Sequence, residues 1–94
     1  MQIDRRIIES SLLEKGFVEE DSSHKYFHHE YNGKRTGIST YTSHGSSYKT
    51  YGDDLINMIK KQLKLDTNNQ IRDFLQCPMK SEEYIRILTE KNYL

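Results

Sequence analysis

Residues Ser22–Ser43, SSHKYFHHEYNGKRTGISTYTS, carry the clearest local structure in the chain. Asn32-Gly33 at the centre is a strong hairpin signal. A two-residue type I′ turn needs φ > 0 at both central positions, and Asn and Gly tolerate that best. The strands are then His24 to Tyr31 and Lys34 to Thr42. A two-residue turn pairs Tyr31 with Lys34, His29 with Thr36, Phe27 with Ile38, Tyr26 with Ser39 and His24 with Tyr41. Phe27 opposite Ile38 makes a core pair, and Tyr31 shares that face. The other face carries His24, Tyr26, His28, Gly37, Ser39 and Tyr41. It is polar, aromatic and rich in histidine, so it is the first place to look for function.

The flanking segments complete an α-β-β-β-α unit. Asp4 to Lys15 has helical spacing, with Ile7, Ile8, Ser11 and Leu12 on one stripe, Ile3 and Leu13 beside it, and Gly16 past its end. Phe17-Val18-Glu19 starts a short strand, and Asp21-Ser22-Ser23 is a turn cluster. Ser43 to Ser47 is a loop of small polar residues. Asp53 and Asp54 suit the first turn of a second helix with an apolar stripe of Leu55, Ile56, Ile59 and Leu63, closed by Lys60, Lys61 and Lys64. An antiparallel sheet with helices on one face is an α+β fold. Residues 66–94 read as a helical pair. Thr67 and Gln70 form a capping box before Ile71, Phe74 and Leu75, and Cys77-Pro78 ends that helix. Ser81 starts the next, with Tyr84, Ile85 and Leu88 inward. Together with Leu94 these apolar residues need burial. The tail should therefore pack on the helix side of residues 1–65, or on a second copy in a dimer, within a single domain spanning 1–94.

Ninety-four residues allow one domain with a modest core, and a mean hydropathy of −0.89 leaves a very polar surface. There is no run of ~18 apolar residues, so no membrane span is expected. The N-terminal stretch lacks the apolar region and cleavage site of a signal peptide. Cys77 is the only cysteine and fits a reducing, cytoplasmic setting. The net charge is zero but uneven. Lys25, Lys34, Arg35, Lys49, Lys60, Lys61 and Lys64 face only Glu30, Asp53 and Asp54 within 24–64, a net of +4. That segment also holds all four histidines. A local positive field of this kind suits phosphate better than the overall charge suggests.

The ordered set LLEKGF, Ser23-His24-x-Tyr26, NGKRT, Ser43-His44-Gly45 and GDDLINMIKKQLKL resembles the HicA-type toxins of toxin–antitoxin systems over about residues 4–65. It departs from them in Ser22, which stands where a glycine usually precedes Ser-His, in the paired Asp53-Asp54, and in the C-terminal third. The resemblance implies a double-stranded-RNA-binding-domain-like fold and an mRNA-cleaving ribonuclease. It places the functional histidine at His24 and implies a HicB-type antitoxin partner that masks it.

The residues allow that chemistry. Metal-free RNA cleavage needs a base for the 2′-OH proton and an acid for the leaving 5′-oxygen. Histidine, with an ordinary pKa near ~6.5, can serve as either. His24 is the candidate acid/base, and His44, at the same end of the sheet, is its candidate partner. Arg35 and Lys49 are candidates for holding phosphates, with His28 beside them on the active face. Tyr26 and Tyr41, like Tyr48 and Tyr51, could stack on unpaired bases. No metal or other cofactor is expected. His24 and His28 are about 13 Å apart along a strand at ~3.3 Å per residue, too far to share an ion at ~2.1 Å. The expected function is thus an RNA-directed, metal-independent endoribonuclease acting on mRNA. Two alternatives stay open on these residues: a non-catalytic RNA-binding module, and a protein-interaction unit.

Overall fold

The computed structural model describes residues 1–43, 49–76 and 78–94. In chain order the elements are β1 (Ile3–Asp4), α1 (Arg5–Glu14), β2 (Phe17–Asp21), β3 (Lys25–Tyr31), β4 (Lys34–Thr42), β5 (Thr50–Tyr51), α2 (Asp53–Gln62), α3 (Asn68–Leu75) and α4 (Ser81–Glu90). The fold is α+β. Strands β2, β3 and β4 form an antiparallel sheet in that order, and β1 pairs with β5 in a second, two-stranded sheet.

Asn32 and Gly33 both have positive φ, +53° and +77°, as a type I′ turn requires. Tyr31 faces Lys34 and Glu30 faces Arg35, as expected. Beyond them the expected register is wrong by two residues. Phe27 pairs with Thr40, not Ile38; Tyr26 pairs with Tyr41, not Ser39; and Lys25 pairs with Thr42. The cause is a bulge in which Thr36, Gly37 and Ile38 all lie against His29. Gly37 takes φ +88° there, and the Thr36 hydroxyl accepts from the Ile38 N–H at 3.4 Å and donates to the His29 carbonyl at 3.3 Å. A bulge of this kind leaves backbone groups without ladder partners, and the Thr36 side chain supplies them.

A slip of two residues leaves every side chain on its original face, because strand side chains alternate with period two. Phe27, His29, Ile38, Thr40 and Thr42 are buried on the helix-covered face, while Tyr26, His28, Ser39 and Tyr41 are half-buried on the other. Tyr31 departs from expectation. It is 42% exposed. His24 lies just outside β3, in the exposed turn where the Ser22 N–H donates to the His24 carbonyl at 2.9 Å.

Asp4 caps α1 by accepting from the Arg6 N–H at 2.9 Å. Ile8, Ser11 and Leu12 are buried, but Ile7, expected inward, is 48% exposed. Ile3 is buried through β1, outside the helix. In α2, Ile56, Ile59 and Leu63 reach the core, and Leu55 is only half-buried. The Thr67–Gln70 capping box forms at the start of α3. In α4, Tyr84 and Leu88 point inward as expected, and Ile87 takes the buried place expected of Ile85.

The tail completes the core on the helix-covered side. The Phe74 and Tyr84 rings pack edge to face with centroids 4.9 Å apart, and Phe17 lies about equally far from both, at 6.1 and 6.0 Å. The Ser11 hydroxyl donates to the Leu75 carbonyl at 2.6 Å, and the Tyr84 hydroxyl to the Leu63 carbonyl at 2.8 Å, both in buried surroundings.

Two measurements check this account. Gly37→Ala meets no atom within 4 Å, so its cost is backbone strain alone. It should destabilise the chain by about 1 kcal/mol and lower the Tm by ~4–8 °C. Truncation after Leu65 removes Ile71, Phe74, Leu75, Tyr84 and Leu88 from the core. At ~1.5–3 kcal/mol each, that rivals a small domain's whole net stability, so no cooperative melting transition should remain.

Candidate nucleic-acid interface

The open face of the sheet carries a continuous aromatic strip. The His24 ring lies 5.0 Å from Tyr41 at a 34° tilt and 6.0 Å from Tyr26, nearly edge-on. Tyr26 is 5.9 Å from Tyr41 and stacks on His28 at 6.2 Å. The pairing of Tyr26 with Tyr41 produces this cluster. The bulge slides Tyr41 two residues along β3, so that it lies across from Tyr26, beside the turn that holds His24. The Tyr41 hydroxyl contacts the Met58 sulfur at 3.9 Å, which ties the strip to α2.

Glu20, across β3 from this strip, already engages two of the candidate residues. Its carboxylate lies 3.2 Å from His28 Nε2 and 3.6 Å from an Arg35 nitrogen. Glu20 pairs with Tyr26 in the sheet, which brings it onto the same face. The charge was visible in the sequence, but the register of β2 against β3 was needed to place it. Lys49 stands apart from the strip. It lies beside Asp4, Arg5 and Arg6 around a cleft of about 120 Å³. The Arg5 N–H donates to the Lys49 carbonyl, and the Arg5 guanidinium to the Ser43 carbonyl, both at 2.8 Å.

These contacts put the start of α1 at the His24 end of the sheet. Thr42 there pairs with Lys25, the residue after His24. Both Thr42 and Lys25 reach Glu9 of α1, at 2.7 and 3.8 Å. Lys25 thus serves the helix-covered face. Arg6 and Lys49 are exposed at this end. Sequence reasoning missed Arg6, because the β1–β5 pairing that gathers it with Lys49 has too few residues to leave a periodic signal. His44 and Tyr48 lie outside the described residues, so the expected partnership of His24 and His44 has no geometry here. Tyr51, weighed for base stacking, is buried, and its hydroxyl accepts from the Ser43 N–H at 2.9 Å. Among the described residues, no three His, Cys, Asp or Glu side chains converge on one point.

The strip can therefore offer flat rings to unpaired bases, with an exposed imidazole at one end. Compared with known proteins, the chain matches no family model, no curated protein and no solved structure.

His29 belongs to the opposite face and is fully buried between Phe17 and Tyr84, with centroids at 5.0 and 5.4 Å. Burial lowers its pKa from the ordinary 6.5. The unfolded chain then binds a proton that the folded chain resists. His29 contributes its full stability above pH 6.5 and loses it as the pH falls through the depressed folded value. Urea denaturation at a series of pH values should show stability declining as the pH falls below 6.5. The His29→Phe variant should lack the His29 share of that decline.

Proposed function

We propose that the chain is a HicA-like, RNA-directed protein, a metal-independent endoribonuclease of toxin type acting on mRNA in the cytoplasm. The observation that carries this reading is the exposed His24 ring, 5.0 Å from Tyr41, at a sheet end that also presents Arg6 and Lys49. Tyr26 and Tyr41 stack on bases flanking the scissile bond. Neutral His24 takes the 2′-OH proton, the 2′-oxygen attacks phosphorus, and the bond to the 5′-oxygen breaks as that oxygen gains a proton. Arg6 and Lys49, both exposed, are the proposed cations for the charge that develops on the phosphate. His44, two residues past Thr42, is the proposed second proton carrier. A HicB-like antitoxin would cover this open face, and the lone Cys77 fits a reducing compartment.

A non-catalytic RNA-binding module is the second reading. Glu20 favours it, because its carboxylate offsets His28 and Arg35 and leaves His24 as the accessible imidazole among the described residues of this face.

The test expresses wild type and His24→Ala from a tight promoter and follows growth and mRNA integrity, with purified protein on labelled RNA in EDTA alongside. An exposed position tolerates alanine at under ~0.5 kcal/mol, whereas losing a general acid/base should slow cleavage by about 10²-fold or more. Full cleavage by His24→Ala, or loss of wild-type activity in EDTA, would sink the mechanism. Tight RNA binding without cleavage would establish the second reading instead.

A further inference from the structure

The open face of the sheet carries a three-residue contact beside its aromatic strip. Glu20 Oε1 lies 3.2 Å from His28 Nε2, and Glu20 Oε2 lies 3.6 Å from an Arg35 nitrogen. The three side chains come from three adjacent strands, β2, β3 and β4. Arg35 pairs with Glu30 in the ladder, yet its guanidinium makes its ion pair with Glu20. One carboxylate thus bridges two nitrogen groups, one oxygen to each. A phosphodiester also presents two anionic oxygens on one atom, so it can take the same two contacts. A neutral imidazole with its proton on Nε2 donates to either anion, so the exchange needs no change of charge at His28.

The contact is weak enough to exchange. The Arg35 and Glu20 side chains are 55% and 54% exposed, so solvent screens their attraction. Exposed pairs of this kind shift an equilibrium by about fivefold or less. His28 is less exposed and stacks on Tyr26, with centroids 6.2 Å apart. Glu20 lies directly across the ladder from Tyr26. A nucleotide whose base lies on Tyr26 and whose phosphate lies towards β2 meets the Glu20 carboxylate first. With that carboxylate turned away, it meets His28 and Arg35.

We propose that His28 and Arg35 form a subsite for one phosphodiester group, and that Glu20 occupies it in the free protein as an internal competitor. Single-stranded RNA then displaces the Glu20 carboxylate, which turns into solvent and leaves its two donors to phosphate. A phosphodiester carries a single negative charge, as the carboxylate does, so Arg35 exchanges one anion for another. Naming RNA as the source of the phosphate rests on the RNA-directed reading above. The pairing of the two donors does not, because Glu20 already engages both with one anionic group. Tyr26 touches both His24 and His28, so the subsite and the exposed imidazole stand at opposite ends of the strip. The subsite therefore governs affinity and takes no part in proton transfer.

The probe is a short 2′-O-methyl oligouridylate, which cannot be cleaved through a 2′-oxygen, titrated into the full-length protein. Glu20→Gln should bind it ~3–10-fold more tightly than the wild type does. Arg35→Gln should weaken binding and flatten the slope of log affinity against log salt by ~0.7. It should also cut the gain from Glu20→Gln to under ~2-fold, because the two residues act as a pair. Glu19→Gln removes the same charge from an exposed neighbour, paired with Phe27 on the other face, and should change binding by under ~2-fold. In ¹H–¹⁵N spectra, inorganic phosphate should shift the Arg35 Nε–H and the His28 ring nitrogens of Glu20→Gln more than those of the wild type. The subsite is overturned by an equal gain from Glu19→Gln, by an undiminished gain in the Arg35→Gln background, or by no phosphate response at Arg35 and His28 in Glu20→Gln. If phosphate shifts these groups but no variant binds the oligonucleotide, the subsite stands and the RNA-directed reading falls.

Discussion

Tyr84 holds the molecule together. Its ring closes the cluster formed by Phe17 of the sheet, His29 of the hairpin and Phe74 of α3, while its hydroxyl satisfies the Leu63 carbonyl at the end of α2. One side chain thus joins four segments that are distant in sequence. A buried tyrosine is useful here because its apolar body and its polar tip are both satisfied. Burial raises the Tyr84 phenol pKa, so the hydroxyl keeps its proton and remains a donor. Short helices such as α3 and α4 are marginal alone and take their stability from this packing.

The second organising feature is the bulge at Thr36–Ile38. It acts on both faces of the sheet at once. On the helix-covered face it brings the Thr36 hydroxyl to His29 and fixes the orientation of that ring. On the open face it slides Tyr41 opposite Tyr26, which makes the aromatic strip. Bulges often re-aim side chains near functional surfaces, at the expense of ladder hydrogen bonds that a nearby side chain must replace.

The two faces divide the histidines by environment. His24 is exposed on the turn, His28 lies against Glu20, and His29 is buried in the core, where burial disfavours its charged form. Identical side chains within six residues therefore have different chemistry available to them. An exposed imidazole can exchange protons with a substrate. A buried one can offer a hydrogen-bond acceptor but resists charging.

Local chemistry written in the chain determined much of this. Asn32-Gly33 marked the turn, Thr67 and Gln70 marked the start of α3, and period-two alternation assigned Phe27 and Ile38 to the covered face. Each of these depends on neighbours within a few residues, so a sequence displays them directly. The register beyond Glu30 did not follow, because Gly37 in a strand is compatible with either a straight ladder or a bulge, and the choice depends on whether Thr36 finds His29. The exposure of Ile7, the exchange of Ile85 for Ile87 and the Glu20 contacts were equally hidden. All three depend on which surfaces the tail and the edge strand cover, and only the assembled core decides that.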